Sequence, residues 1–189
     1  MLELLKELDI TLSTGINHWH GPTTDIIFTL ISERLTWLPL YAILALYMYR
    51  TYGLKVFVVM LFSIGIAIAA SDQISVAMKY GFERLRPCHE LGVMTLLHLP
   101  AGCGGQFGFV SSHAANTASV AMLASLFSKN KWISIIFVCY AILNSYSRVY
   151  LGKHYIGDVV GGITLGIVVG LTVFWIYKKI LPLVLKPTI

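Results

Sequence analysis

The sequence predicts an all-α fold: a polytopic membrane helix bundle with about five transmembrane helices and a further helix at the membrane surface. Two observations lead to this prediction. The 189 residues are 57% hydrophobic and only 12% charged, whereas a soluble domain carries about 25% charged residues. Several apolar stretches also approach the roughly 20 helical residues that a bilayer core requires. The polar side chains are too few to cover a soluble globule, and the high hydrophobicity excludes a disordered chain.

Five apolar stretches are candidates for transmembrane helices, the shorter ones with help from tilt or interfacial flanks. They run from about 35 to 49, 54 to 77, 112 to 128, 132 to 147 and 155 to 177. No linker separates them, so the chain is predicted to form a single membrane domain over residues 1–189. The one long loop, residues 81–110, is rich in Gly and His. Loops longer than about 12–15 residues are usually functional or disordered.

The segment before the first span, residues 1–34, is too mixed in composition to be a clear transmembrane helix. Its apolar residues at helical spacing are Leu2, Leu5, Leu8 and Leu12. Acidic residues lie between these leucines, a pattern typical of a helix that lies in the membrane interface. The alternative is a sixth span within residues 10–34.

Charge and cysteine usage exclude several function classes. The pI is about 9.1, but the 14 Lys and Arg residues are scattered, without the basic stripe of a nucleic-acid-binding protein. Three cysteines are too few for a disulfide scaffold. The chain has no zinc-knuckle, HExxH or EF-hand pattern. We therefore predict no metal, no cofactor, no nucleic-acid partner and no obligate protein partner.

The cationic residues in the loops predict an orientation. In a five-span arrangement one side of the membrane carries Arg50, Lys55, Lys129, Lys131, Lys178, Lys179 and Lys186. By the positive-inside rule this side is predicted to be cytoplasmic. The opposite, outer side carries equally many cations, but five of those seven lie in two short clusters near 79–86 and 148–153. Such clusters indicate a binding site for an anion rather than a topology signal.

Three groups of polar residues fall at span ends on the outer side. The first is Lys79 with Arg86-Pro87, the second is Ser111-Ser112-His113, and the third is Ser147-Arg148 followed by His154 and Asp158. A folded bundle can bring these groups together.

His154 and Asp158 are four residues apart and share a face if both are helical. A carboxylate that accepts a hydrogen bond from one ring nitrogen fixes the tautomer and raises the basicity of the other nitrogen. This pattern favours a nucleophilic histidine. The alternative is a local His–Asp pair that only satisfies two polar groups at a helix start.

Lys79, Arg86 and Arg148 would repel one another without an anion between them. The planar fork of arginine suits phosphate oxygens. Ser111 is placed to cap the next helix, whose free N–H groups can bind an anion, and His113 is placed as a proton donor. The alternative is that these side chains only contact lipid headgroups.

Together the three groups resemble the three-part signature of the type 2 phosphatidic acid phosphatase superfamily, a family of membrane lipid phosphatases. The resemblance covers residues 54–175 and rests on Lys79-x6-Arg86-Pro87, Ser111-x-His113 and Ser147-Arg148-x5-His154-x3-Asp158. The second part departs from the family, which reads Pro-Ser-Gly-His where this chain has Val110-Ser111-Ser112-His113. In the family the Gly lets a backbone N–H approach the phosphate, and Ser112 can still donate its N–H from this position.

The resemblance implies a mechanism. His154 would attack phosphorus and form a phosphohistidine, Asp158 would orient His154, and His113 would protonate the leaving oxygen. The residues that would bind the phosphoryl oxygens are Lys79, Arg86, Ser111, Ser112 and Arg148. The family needs no metal. Arg84, inside the first motif at a variable position, is expected to contact the headgroup or water.

The resemblance also limits the substrate to a phosphorylated membrane lipid, with the active site facing the periplasm from a bacterial inner membrane. Among the candidate substrates we favour undecaprenyl diphosphate, because a small bundle can bind a headgroup that is little more than diphosphate. Lipid A, phosphatidylglycerophosphate and phosphatidate are alternatives, and transfer to a lipid acceptor is an alternative to hydrolysis. A lipid-binding protein or transporter of the same fold is the non-catalytic alternative.

Cys88 and Cys103 both lie in the long outer loop. In an oxidising periplasm they could form a disulfide. The alternative is two free thiols.

Overall fold

The computed structural model describes residues 2–185, and this part of the chain is predominantly helical. Its long helices are α1 (Leu2–Asn17), α2 (Pro22–Ser32), α3 (Leu38–Phe82), α4 (Ser112–Ser128), α5 (Lys131–Tyr150) and α6 (Ile156–Leu185). Short 3-10 turns lie at Leu35–Trp37, Pro87–His89 and Met94–Leu96. One isolated β-bridge joins Leu85 to Phe107. The all-α prediction is confirmed.

Helix α3 is interrupted at Gly53, whose φ of 76° and ψ of 168° lie outside the helical region. Glycine adopts a positive φ without steric cost. The two segments, 38–52 and 54–82, face each other, since the rings of Tyr49 and Phe57 lie 5.9 Å apart. The chain therefore turns back at Gly53, and α3 supplies the first two predicted spans.

Within the described part of the chain, three helices are long and apolar enough to cross a membrane, namely Leu35–Phe82, Lys131–Tyr150 and Ile156–Leu185. The first of these contains the reversal at Gly53 and so provides two crossing segments. Helix α4 is shorter, with 17 residues, but it packs against α3, α5 and α6 in the middle of the bundle. This architecture agrees with about five transmembrane helices. The predicted cytoplasmic cation Lys186 lies outside the described residues.

The N-terminal region forms two helices that pack on the ends of α5 and α6. Helix α2 has 11 residues, about half of the length that a crossing requires, so residues 10–34 do not form a sixth span. On α1 the leucines Leu5, Leu8 and Leu12 are exposed. Their apolar face is free to lie in lipid, while the polar side of α1 faces the bundle. This arrangement agrees with the predicted interfacial helix.

The closest helix contact is between α4 and α6. A Cβ added at Gly166 would lie 2.2 Å from the carbonyl oxygen of Ala115, so only glycine permits this approach. Gly162 and Gly170, one turn away on either side, face α4 in the same way. Small residues at four-residue spacing are typical of close helix packing in membranes. The contact brings the start of α4 beside the start of α6, where the N–H of Ser111 donates to the carbonyl oxygen of Asp158 at 2.9 Å.

Candidate active site

The predicted His–Asp pair forms at the end of the bundle where α5 ends and α6 begins. The ring Nδ1 of His154 lies 3.3 Å from Oδ2 of Asp158, and both side chains are buried. His154 does not belong to a helix but to the turn before α6, where its N–H donates to the carbonyl oxygen of Arg148 at 3.2 Å. Because Oδ2 of Asp158 accepts a hydrogen bond from Nδ1–H of His154, the Nε2 atom of His154 remains available as a nucleophile.

The environment of His154 keeps its ring neutral. Burial lowers the pKa of His154 well below its usual value, and the nearby charges of Arg86, Arg148 and Lys79 lower it further. A neutral imidazole keeps the lone pair that attack on phosphorus requires. The same three cations are the residues that the sequence predicted to bind phosphate.

Lys79 and Ser112 contact each other directly. The Nζ atom of Lys79 donates to Oγ of Ser112 at 2.5 Å, and the hydroxyl of Ser75 lies 2.7 Å from the same oxygen. The serine at the position where the family has glycine thus supplies a hydroxyl that holds the lysine.

Arg148 has a buried donor without a partner. Its side chain is 6% exposed, and NH1 donates to the hydroxyl of Ser32 on α2. Its Nε atom makes no hydrogen bond with any of the described residues 2–185. Buried donors normally have an acceptor, and an anionic oxygen bound here would supply one.

Arg86 is fixed by the loop that follows it. Its Nε donates to the carbonyl oxygen of Phe107 at 3.1 Å. The guanidinium also packs on the backbone of Gly104, where an added Cβ would lie 2.4 Å from NH1. The loop 81–110 is therefore part of the site.

The second predicted group begins α4. Ser111 is fully buried and its hydroxyl accepts from the N–H of Ala114 at 3.5 Å, so it is the N-cap of α4. His113 lies in the first turn and borders a cavity of about 190 Å³. Arg34, Trp37 and Asn116 are among the other residues that line this cavity.

Arg84 and Asp9 are the site residues that sequence reasoning missed. The sequence suggested for Arg84 only contact with the headgroup or water, whereas the structure pairs its guanidinium with two carboxylates. Its NH1 donates to Oδ1 of Asp158 at 2.9 Å, and its NH2 donates to Oδ2 of Asp9 on α1 at 2.7 Å. The only signal in the sequence was an acidic residue on the polar side of α1, and no spacing rule connects that residue to Arg84.

Cys88 and Cys103 are joined by a disulfide in the structure, with their Cα atoms 5.9 Å apart. Within residues 2–185, the one group of His, Cys and acidic side chains close enough to hold a metal is Cys88, His89 and Cys103. Two of its three ligand atoms are the bonded sulfurs, which cannot act as thiolate ligands.

Comparison with known proteins identifies the family. Residues 58–182 match the PAP2 superfamily. A lipid A 4'-phosphatase of Bacteroides thetaiotaomicron is 32% identical over 183 residues, 95% of this chain and 81% of that protein. An undecaprenyl-diphosphatase of Sulfolobus acidocaldarius is 32% identical over 161 residues, 84% of this chain and 73% of that protein.

A solved structure agrees with these matches. The transmembrane PAP2-type phosphatidylglycerolphosphate phosphatase of Bacillus subtilis superimposes with a TM-score of 0.72 and 26% identity, covering 94% of this chain and 88% of that one. The chain belongs to the PAP2 superfamily. It is a membrane lipid phosphatase of the metal-independent PAP2 type.

Proposed function

We propose that this protein removes the phosphate monoester of a glycolipid of the lipid A class, through a phosphohistidine on His154. The observation that supports the chemistry best is the Nε of buried Arg148, which has no hydrogen-bond partner among residues 2–185. It lies beside a His154 ring on which three cations act. A site with this much positive charge around a neutral nucleophile fits a phosphoryl group. The relative from Bacteroides thetaiotaomicron, whose name gives lipid A as its substrate, supports the lipid class.

The reaction has two steps. Nε2 of His154 attacks phosphorus, the bond from phosphorus to the ester oxygen breaks, and His113 gives that oxygen a proton. Water then attacks the phosphohistidine while His113 takes a proton from it, which releases inorganic phosphate and regenerates His154. Lys79, Arg86 and Arg148 stabilise the charge that develops on the phosphoryl oxygens in both steps, with Ser111 and the N–H of Ser112 at the start of α4.

The residues that line the cavity beside His113 favour a substrate with a polar leaving group. Because His113 protonates the leaving oxygen, the rest of the substrate lies on the His113 side, where Asn116, Thr117 and Asn144 offer polar atoms. Trp37 and Tyr41 line the same cavity. Sugar hydroxyl and amide groups can hydrogen-bond to the polar atoms of this cavity, and the aromatic rings can pack against the faces of the sugar.

Undecaprenyl diphosphate is the second candidate, and one observation favours it. Arg34 lines the same cavity as His113, and a cation at this place would stabilise a leaving group that is itself a phosphate. The relative from Sulfolobus acidocaldarius, named an undecaprenyl-diphosphatase, supports this alternative.

We also propose that the active site faces the periplasm from the inner membrane of a bacterium. The Cys88–Cys103 disulfide supports this orientation, because disulfides persist in oxidising compartments. Cysteine-accessibility labelling of intact cells with an impermeant reagent, at an engineered Glu83→Cys, tests it. Labelling from outside is expected, and protection until the cells are broken would contradict the orientation.

Phosphate release by the purified protein in detergent with EDTA tests the proposed function. The substrates are lipid A, undecaprenyl diphosphate and phosphatidylglycerophosphate, each assayed with the wild type and with His154→Ala. We expect release from lipid A by the wild type alone, with mass spectrometry giving the position of the lost phosphate. Release only from undecaprenyl diphosphate would favour the second candidate. Equal release by His154→Ala would contradict the phosphohistidine mechanism.

A further inference from the structure

Both carboxylate oxygens of Asp158 have hydrogen-bond partners, and Arg84 is one of them. Oδ2 accepts from the N–H of Tyr155 at 3.2 Å and faces the His154 ring. Oδ1 accepts from Arg84 at 2.9 Å. With partners on both oxygens the carboxylate cannot rotate freely about its Cβ–Cγ bond. Without Arg84, Oδ1 would be a fully buried anionic oxygen that has lost its hydrogen-bonded cation, which is costly.

The guanidinium of Arg84 is directed at carboxylates rather than at the place of the phosphoryl group. NH1 reaches Asp158, NH2 reaches Asp9, and the plane lies over the ring of Tyr155 with 4.5 Å to its centroid. Burial alone would lower the pKa of Arg84, but the two carboxylates outweigh it and raise that pKa above its usual value. Arg84 therefore acts on the reaction through Asp158.

Asp9 connects this arrangement to the surface helix α1. Its Oδ2 binds Arg84, and its Oδ1 accepts from the N–H of Gly157 at 2.9 Å. Ser13, one turn further along α1, accepts from the N–H of Ile156 at 2.9 Å. These are the first N–H groups of α6, which have no partner within their own helix. Helix α1 thus caps the helix that carries Asp158.

Two glycines leave the room that this network needs. A Cβ at Gly157 would lie 2.7 Å from Asp9 Oδ2 and 3.1 Å from Arg84 NH1. A Cβ at Gly108 would lie 2.6 Å from Oδ2 of Asp158. Any larger residue at either place would push the carboxylates out of their positions.

We propose that Arg84 is a positioning residue of the phosphatase reaction, which holds Asp158 in the orientation that fixes the His154 ring, and that Asp9 of α1 holds Arg84. The interfacial helix is then a structural part of the active site. This inference rests on the proposed role of His154 as the nucleophile, but not on which lipid is the substrate.

Steady-state kinetics of Arg84→Ala on the lipid substrate and on a small aryl phosphate form the first test. Because Arg84 does not contact the phosphoryl group, we expect kcat to fall by about 10- to 100-fold while KM changes by less than about twofold. Guanidinium ion at millimolar concentration is expected to restore part of kcat, since it can occupy the vacated place between the two carboxylates. A raised KM with unchanged kcat, or no rescue at an unchanged fold, would contradict the proposal.

Asp9→Asn and Glu7→Gln form a matched pair on α1. Each removes one negative charge from the same helix, but only Asp9 contacts Arg84, whereas Glu7 is exposed. We expect kcat to fall in Asp9→Asn and to stay at the wild-type value in Glu7→Gln. In the double variant Asp9→Asn/Arg84→Ala, the fold-loss of kcat should be smaller than the product of the two single losses, because both residues act through Asp158. Equal losses in both members of the pair would mean that α1 matters only through its overall charge.

Nitrogen-15 NMR of histidine-labelled protein separates this proposal from the proposed function. His154, assigned by its loss in His154→Gln, is expected to show the Nδ1–H tautomer in the wild type and a mixture of tautomers in Arg84→Ala. This readout needs no substrate, so it decides the positioning role even if none of the lipids is hydrolysed. Arg84→Lys, which keeps the charge but cannot bridge two carboxylates, provides a second variant should Arg84→Ala fail to fold. An unchanged tautomer in the folded variant would overturn the proposal.

Discussion

The Nζ atom of Lys79 donates to the hydroxyl of Ser112 at 2.5 Å, which joins the end of α3 to the first turn of α4. An ammonium group has three donors, so Lys79 can keep this bond and still bind a phosphoryl oxygen. Where the family has glycine, this chain has a side chain that fixes the position of the lysine before substrate arrives.

Ser112→Ala is therefore expected to raise KM about fivefold, because a hydrogen bond worth about 1 kcal/mol no longer holds Lys79 in place. The value of kcat should fall as well, by less than about fivefold, because Lys79 also stabilises the charge that develops in the transition state. The measurement is steady-state hydrolysis of the lipid substrate. Ser125→Ala, on the same helix and bonded only to its own turn, is the matched control. An unchanged KM in Ser112→Ala would mean that Lys79 needs no such support.

Arg34 is predicted to discriminate between leaving groups. Its charge lies at the cavity beside His113, where the leaving oxygen departs. Arg34→Gln should lower kcat/KM for a diphosphate lipid by about tenfold, since the leaving group is then a phosphate. The value of kcat/KM for a sugar phosphate monoester should fall much less. Arg50→Gln, at an exposed position on the opposite end of the bundle, is the control. Equal losses on both substrates would contradict this role.

The pH dependence of kcat/KM is predicted to lack an acid limb from His154 near the usual histidine pKa. The pKa of His154 is lowered by burial and by the cations Arg86, Arg148 and Lys79, so the ring stays neutral as the pH falls below about 6.5, the usual histidine value. Because kcat/KM reports the ionisation of the free enzyme and substrate, its acid limb should coincide with the titration of the substrate phosphate alone. Phosphorus-31 NMR in the same micelles gives that titration.

Removal of a cation should raise the pKa of His154. In Arg86→Gln the protonated form of the ring is repelled less, so nitrogen-15 NMR of the substrate-free protein should show His154 protonating at higher pH than in the wild type. The titration of His154 in Arg50→Gln should match that of the wild type. A His154 titration that stays in place when Arg86 is neutralised would mean that burial alone sets the ionisation of this ring.

The sequence predicted the candidate site residues that the fold brings together, because each motif is local in the chain. Lys79 and Arg86, or His154 and Asp158, are separated by less than ten residues at span ends. The residues that support them could not be found in this way. Arg84 reaches Asp9 across 75 positions, and Arg148 reaches Ser32 across 116 positions. Such contacts depend on how helices pack, which no spacing rule in a single sequence reports.

The packing of the helices could be predicted in part from the sequence. The stripe of glycines at 162, 166 and 170 is visible in the sequence and accounts for the close approach of α4 to α6. The face of α1 that packs on the bundle could not be predicted, because its acidic residues can face water as well as other helices. The structure turns Asp9 and Ser13 of α1 toward α6, and this orientation makes the surface helix part of the site.

Loss of the Cys88–Cys103 disulfide is predicted to affect both stability and substrate binding. The bond closes a loop of 15 residues, for which the chain-entropy model gives about 3 kcal/mol of stability. Gly104, on which the guanidinium of Arg86 packs, directly follows Cys103 in the chain. When the loop is open, Arg86 is held less firmly, and we expect KM to rise about three- to tenfold while kcat falls less.

The double variant Cys88→Ser/Cys103→Ser tests this prediction by thermal unfolding in detergent and by steady-state kinetics. Cys139→Ser, which removes the free cysteine of α5, is the matched control and should behave as the wild type. Treatment of the wild type with a reductant should reproduce the double variant, while it leaves the double variant itself unchanged. A double variant with wild-type KM would mean that the contacts of Arg86 with Phe107 hold the arginine without the disulfide.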